Sequence, residues 1–265
     1  MLTLSLDAAQ PVGAHLRSWR QRRRLSQLDL ALDAEISTKH LSFLETGRSR
    51  PSREMVIRLA ERLDVPLRER NVILVAAGFA PAYPQRGLDD PALREAREAV
   101  GLILKAHEPW PALAVDRHWH LIAANAAVAP LLAGAAPALL APPVNVLRLS
   151  LHPDGLSGRI VNLGEWRAHI LDRLRRQVEA TADPGLAALH AELAAYPAPA
   201  EGPRAGHAGI AVPLRLRTEA GTLNFLSTVT VFGTPVDVTL AELALETFLP
   251  ADAATAEALR ASAAR

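Results

Sequence analysis

The chain has 265 residues, 49% of them hydrophobic, with 29 basic and 28 acidic residues and no cysteine. That length accommodates two ordinary domains with real cores, and the lack of cysteine excludes disulfides, thiolate metal sites and thiol catalysis. No apolar run of membrane-spanning length is free of charge, and no signal-type block opens the chain, so the expectation is a cytoplasmic protein with no membrane partner. Residues 1–85 hold 13 basic and 9 acidic residues, whereas 86–265 hold 16 and 19. A basic N-terminal part joined to a mildly acidic remainder suits a polyanion-binding module attached to one that does not bind polyanions.

Val12 to Arg23 reads as the first helix. Val12, Leu16 and Trp19 have the spacing of a buried stripe, and Arg17, Arg20, Arg22, Arg23 and Arg24 surround it. Such a run is ordinarily a solvated face, but its place just ahead of a helix pair also suits phosphate contact. Ser26 is an N-cap with Asp29 in capping-box position, and Leu28, Leu30, Ala31 and Ala34 give the second helix its apolar side. Glu35-Ile36-Ser37 makes a corner and Ser37 caps a third helix. Leu41 and Leu44 bury that helix, which leaves Thr38, Lys39, Ser42, Phe43 and Thr46 outward, and Gly47 ends it. A basic loop from Arg48 to Arg53, a fourth helix to about Leu63 and a fifth from Pro66 to Gly78 complete an all-α five-helix domain over residues 1–83.

The set Ser26-Gln27, Leu30-Ala31, Ile36-Ser37, Leu44-Glu45, Gly47, Pro51-Ser52 and Leu59-Ala60 is long and correlated. Through it residues 12–78 resemble the Cro/repressor-like, Xre-type helix-turn-helix family. The resemblance implies that the third helix enters the major groove of double-stranded DNA, with Thr38, Lys39, Ser42 and Phe43 reading bases and Gln27 against the phosphate backbone. Ser37, Arg48 and Arg20 complete the expected DNA-binding set. Lys39 can donate to the acceptor edge of guanine, and Thr38 and Ser42 can pair with several edges. For Phe43 two roles stay open, contact with a thymine methyl or packing in the core. Glu35 stands where the family usually carries glycine, so a strained left-handed corner is expected there.

Residues 81–91 are rich in Pro, Gly and Asp, and the second domain is placed at 84–265. Arg94 to Ala106 reads as an amphipathic helix. Leu113 to Asp116 and Trp119 to Ala124 read as strands with a turn at Arg117-His118, followed by an Ala-rich helix to about Ala133 and a low-complexity segment over 134–143. Asn145 to Leu151 fits either helix or strand. Leu163 to Ala180 is a helix carrying the stripe Trp166, Ile170, Leu174 and Val178, and Leu186 to Tyr196 is another. A loop from Pro197 to Gly209 precedes strands at Ala211 to Thr218 and Thr222 to Phe232, a bulged strand at Val236 to Phe248, and a closing helix. The pattern predicts an α+β domain with one antiparallel sheet and helices over one face.

Pro66-Leu67-Arg68-Glu69-Arg70-Asn71, Ala76-Ala77-Gly78-Phe79-Ala80-Pro81, Glu108-Pro109, Pro111, Asn125, Asn145 and Leu249-Pro250-Ala251-Asp252 extend the resemblance over nearly the whole chain, to the MmyB-like transcription regulators. This implies a PAS-like domain whose sheet encloses an apolar pocket for a fatty-acid-like small molecule. The expected pocket residues are Trp110, Val115, Trp119, Ile122, Asn125, Trp166, Ile170, Phe225, Val229 and Phe248. No phosphate loop, HExxH motif or nucleophile elbow is present, so no enzyme is expected. His118 and His120 share a strand face, but on a surface turn without further ligands they are assigned no metal. The expected partners are double-stranded DNA with a palindromic operator, a second copy of the chain and a small apolar ligand, with no other cofactor. An antitoxin-like or scaffold protein, its C-terminal domain binding a protein partner, is the alternative.

Overall fold

Serine caps fix the short helices that follow α1 (Val12–Arg22). The Ser26 hydroxyl accepts from the Asp29 amide at 3.1 Å, and the Ser26 amide donates back to the Asp29 carboxylate at 2.9 Å. Helix α2 (Gln27–Asp33) therefore opens on a full capping box. Ser37 and Ser52 accept from the amides of His40 and Met55 and start α3 (Thr38–Glu45) and α4 (Arg53–Arg62), with α5 (Leu67–Ala76) after them. Leu16, Trp19, Leu30, Ala31, Leu41, Leu44, Val56 and Leu59 form one buried core. Each fully buried leucine there stabilises the fold by about 1.5–3 kcal/mol. Helix α1 approaches α3 so closely at Gly13 that a Cβ would lie 2.4 Å from the Leu44 carbonyl oxygen.

One detail of α2 corrects the sequence reading, and its corner bears that reading out. Leu28, expected on the apolar side, is 56% exposed, so the inward stripe is Leu30, Ala31 and Ala34 alone. Glu35 adopts the expected left-handed backbone, with φ of 56°. The Ile36 amide then donates to the Ala31 carbonyl at 2.9 Å, and Ile36 packs against the core.

The computed structural model describes residues 10–197, 212–219 and 221–263, in two units. The helical unit ends at Arg86 and also takes in Pro235–Ala241. In that returning segment the buried Asp237 accepts from Arg86 Nη1 at 2.9 Å, and the Val238 amide donates to the Pro84 carbonyl at 2.8 Å.

The second unit spans Gly87–Thr234 and Glu242–Arg265. It contains α6 (Arg94–Ala106), β1 (Ala112–Val115), β2 (Leu121–Ala124), α7 (Pro137–Leu140), α8 (Val146–Leu151), α9 (Leu163–Thr181), α10 (Pro184–Ala195), β3 (Leu214–Thr218) and β4 (Gly221–Val231). After α11 (Val238–Ala241), which lies in the returning segment, it resumes with β5 (Ala244–Pro250) and α12 (Ala253–Ala263). The five strands pair antiparallel in the order β2-β1-β5-β4-β3. This is the α+β, PAS-like architecture expected.

Helices cover both sheet faces, not one. On one side Trp166, Ile170 and Leu174 of α9, with Leu186 and Leu189 of α10, pack over Leu113, Val115, Leu214, Leu216 and Phe225. On the other, Val100 and Leu104 of α6 pack over Ala112, Ala114 and Leu245. A strand covered on both faces needs no polar alternation, which is why β1 is an unbroken apolar run buried at every position. Asn145 settles the ambiguous segment after it: its side chain accepts from the Arg148 amide and caps α8 as a helix. The expected Ala-rich helix reduces to a single turn at Ala129–Leu132, where Pro130 cannot donate. The expected bulged strand over 236–248 is α11 followed by β5. Within the expected loop, 198–209 lie outside the described residues, as does Ala211. No helix among the described residues is long and apolar enough to cross a membrane.

Candidate functional site

Helix α3 presents a compact outward face. Thr38 and Lys39 are exposed, and one turn on, at i+4, stand Ser42 and Phe43. Phe43 is half-buried, lies outside the core cluster, and has Lys39 Nζ 5.7 Å and the Arg48 guanidinium carbon 5.8 Å from its ring centroid. These are cation–π distances, so the ring holds two exposed cations beside one another. Phe43 thus stands outside the buried core cluster of the helical unit. The Ser37 hydroxyl oxygen caps α3 by accepting from the His40 amide, which leaves its O–H free to donate outward. Gly47, at φ 74°, turns the chain so that exposed Arg48 comes back beside this face.

Arg20, expected to contact DNA, does not join this face. It is 9% exposed and binds Glu45 through both Nε and Nη2, at 2.6 and 2.8 Å, while Nη1 donates to the Leu25 carbonyl. Gln27 donates to the same Glu45 at 2.8 Å. Burial alone would raise the Glu45 pKa, but the hydrogen bonds from Arg20 and Gln27 outweigh it and hold the carboxyl below its ordinary 4.5. Arg23 is structural as well, donating to the carbonyls of Leu63 and Asp64 at 2.8 and 2.7 Å. Arg17, Arg22 and Arg24 stay exposed.

In the second unit an apolar cavity of about 90 Å³ lies between the sheet and α9. Of the expected pocket residues, Trp166, Ile170, Phe225 and Phe248 line it; the others do not. Asn125 is a buried scaffold residue, donating to the carbonyls of Leu104 and Trp110 and accepting from the Ala112 amide. Ile122 packs with the cluster on the α6 side of the sheet, and Val229 is 45% exposed. Val115 is buried in the core beside the cavity, and Trp110 packs at the edge of that core under the Arg260 guanidinium. Trp119 stands one layer behind. It takes a left-handed backbone, φ 67°, which removes it from β2 and is uncommon for a bulky residue. Its indole N–H donates to Gln177 Oε1 at 2.9 Å, and its ring lies 4.2 Å from the Arg173 guanidinium.

Arg173 and Glu246 both line the cavity, and the sequence reading missed them. Their signal was present: Trp166, Ile170, Arg173 and Gln177 recur at i, i+4, i+7 and i+11, so an arginine sits on the inward stripe of α9. Glu246 stands directly opposite Leu113 in the β1–β5 ladder, which gives both the same sheet face. Arg173 Nη1 donates to Glu246 Oε1 at 2.9 Å, with the side chains 15% and 4% exposed. Leu131 lines both this cavity and a wider, open groove bordered by Pro130, Leu223 and Leu259.

Asp116, His118 and His120 come within ligand distance of one another, but each already serves the β1–β2 turn. Asp116 Oδ1 accepts from the amides of His118 and His120, the His120 ring bonds Asp116 Oδ2, and the His118 ring bonds Asp183.

The model of the MmyB-like transcription regulator ligand binding domain matches residues 96–261. The chain belongs to this family of MmyB-like regulators. A helix-turn-helix family model matches residues 16–70, which contain α2, α3 and the corner between them. No curated protein matches the chain. The regulator therefore joins a DNA-binding helix-turn-helix to a ligand-binding domain, and the cavity under α9 lies inside the segment that defines the latter.

Proposed function

We propose that this regulator binds a palindromic operator as a homodimer, with α3 in the major groove, and that a fatty-acid-like ligand in the α9 cavity sets its affinity for DNA. The observation that carries the reading is the apolar cavity under α9 in a domain attached to an exposed, cation-bearing α3. Lys39 reads a guanine edge, Thr38 and Ser42 hydrogen-bond neighbouring bases, and Phe43 meets a thymine methyl. Arg48 takes a phosphate. Few side chains on the face carry charge, so affinity depends on the exposed arginines and on pairing two heads across a two-fold site. The ligand acts by binding one arrangement of the heads better than another, and its effect is bounded by that difference.

A cavity of about 90 Å³ is below the roughly 300–1,000 Å³ of most ligand pockets. A long chain therefore displaces lining side chains, and Leu131 marks a way into the groove. The cavity also favours sensing over the scaffold alternative, which calls for a closed core and an external docking face.

Selecting DNA from a random pool, then measuring affinity on single-base variants of the recovered site, tests the reading. Lys39→Ala should lose about 1–3 kcal/mol of discrimination at one base position. Arg48→Ala should weaken binding about equally on all sequences. Equal losses on selected and random DNA for both variants would sink it. Gln27 is a poorer probe of phosphate contact, because it also supports Glu45.

A further inference from the structure

The two histidines of the β1–β2 turn lack further ligands in the sequence, but the fold supplies them. Ligand atoms of Asp116, His118 and His120 all lie within 4.8 Å of one another. His120 Nδ1 and Asp116 Oδ2 are 3.0 Å apart. Two ligands held at about 2.0–2.2 Å by a tetrahedral ion stand roughly 3.3 Å apart, so this pair is already spaced for zinc. Asp116 is pinned for the role. Its Oδ1 accepts from the amides of His118 and His120, both at 2.8 Å, which leaves Oδ2 for an ion.

A residue from another element prepares His118. Asp183 is 9% exposed, caps α10 through Oδ1, and meets His118 Nε2 through Oδ2 at 2.9 Å. An ionised carboxylate there holds the ring proton on Nε2 and leaves the lone pair on Nδ1. A histidine that ligates a metal ordinarily bonds a carboxylate in this way, which fixes its tautomer and raises its basicity. Gly185 makes the approach possible, since a Cβ at that position would lie 3.0 Å from His118 Nε2. Arg117 binds Asp183 and Glu242 at 3.2 and 3.7 Å. Asp116, Asp183 and Glu242 thus set three carboxylates against one guanidinium, a balance that favours a cation.

We propose that Asp116, His118 and His120 bind a divalent transition-metal ion, with Zn²⁺ the best fit, and that Asp183 is the positioning residue of the site. Two imidazole nitrogens and one carboxylate oxygen suit zinc, whereas calcium and magnesium take oxygen ligands. Three protein ligands leave the fourth position to water. The ion replaces the His120–Asp116 hydrogen bond, and the His120 ring then carries its proton on Nε2. The side chains of His118, His120 and Asp116 are 29%, 32% and 39% exposed, so the ion enters from solvent without opening the core. Once bound, it ties the β1–β2 turn, and through Asp183 the start of α10, into one framework. Trp119 stands between the two histidines, with its ring on Arg173 and its N–H on Gln177 of α9, so the ion also steadies the residue behind the cavity wall. None of the three ligands lines the α9 cavity, and the site is independent of what occupies it.

The test is equilibrium dialysis of the full chain, free of any affinity tag, against a range of Zn²⁺ concentrations and separately against Mg²⁺ at neutral pH, with bound metal measured by mass spectrometry. The expected result is one zinc ion per chain and no magnesium. His118→Gln/His120→Gln should lose the ion. Asp183→Asn keeps a good N-cap on α10 and should weaken zinc binding about 10–100-fold. Circular dichroism checks that both variants fold. No zinc on the unaltered protein, or as much zinc on the double histidine variant, overturns the site. An unchanged zinc affinity in Asp183→Asn overturns the positioning role of Asp183.

Discussion

Two buried arginines, one in each unit, show what satisfied and unsatisfied charge do in the same chain. Arg20 is saturated: its fork holds Glu45, its third nitrogen holds Leu25, and Gln27 completes the carboxylate. The network ties α1, α2 and α3 together. Arg173 is also enclosed, by α9, Trp119 and β5, yet its Nε and Nη2 have no hydrogen-bond partner among the described residues. The first pair has every donor used, whereas the second leaves two buried donors beside a cavity.

The contrast breaks most readily at Glu45. Glu45→Gln leaves Arg20 buried without a counter-charge and should cost about 3–5 kcal/mol in urea denaturation followed by circular dichroism. Acid should reproduce part of this loss. The folded-state pKa of Glu45 is depressed, so the stability it contributes is present above its ordinary 4.5 and is lost as pH falls through the lower folded value. A pH titration should show that loss in the unaltered protein and little of it in Glu45→Gln. The Arg173–Glu246 pair should behave in the opposite way. Arg173→Met/Glu246→Leu replaces an incompletely satisfied buried pair with apolar side chains and should change stability by no more than about 1 kcal/mol, in either direction. A cost as large as that of Glu45→Gln would make Arg173 a structural residue like Arg20. The smallest effect is expected at the corner. Glu35→Gly relieves a left-handed backbone against a greater loss of chain entropy, for a net gain of about 0.5 kcal/mol in the same denaturation.

The helical unit was legible because local rules govern it. Serine caps, a capping box, helical spacing and a terminal glycine each act within a few residues, and all of them appear where the spacing placed them. Errors arose where a long side chain could turn either way: Arg20 and Arg23 were read as solvent-facing cations, but both fold back onto their own unit. Leu28 failed for a related reason, since an apolar residue one position off a two-turn stripe ends up in water. In the second unit the α+β class was readable, but the cavity was not. Its walls come from α8, α9, the turn at Ala129–Leu132 and all five strands, so no local spacing assembles them. Of the five aromatic residues in the expected pocket, Trp166, Phe225 and Phe248 line the cavity, whereas Trp119 stands behind Arg173 and Trp110 lies outside. The informative residue was the charged one on an apolar stripe, Arg173, whose meaning appears only once Glu246 and Trp119 are placed around it.

The central claim is that occupancy of the α9 cavity changes how α3 engages DNA, and linkage tests it most directly. The affinity of the full chain for a duplex recovered from a random pool should be measured by fluorescence anisotropy with and without saturating octanoic acid. The account predicts a change in Kd of about fivefold or more, within the usual range of allosteric coupling. An identical Kd with and without the acid, in a protein shown to bind it, would contradict the claim.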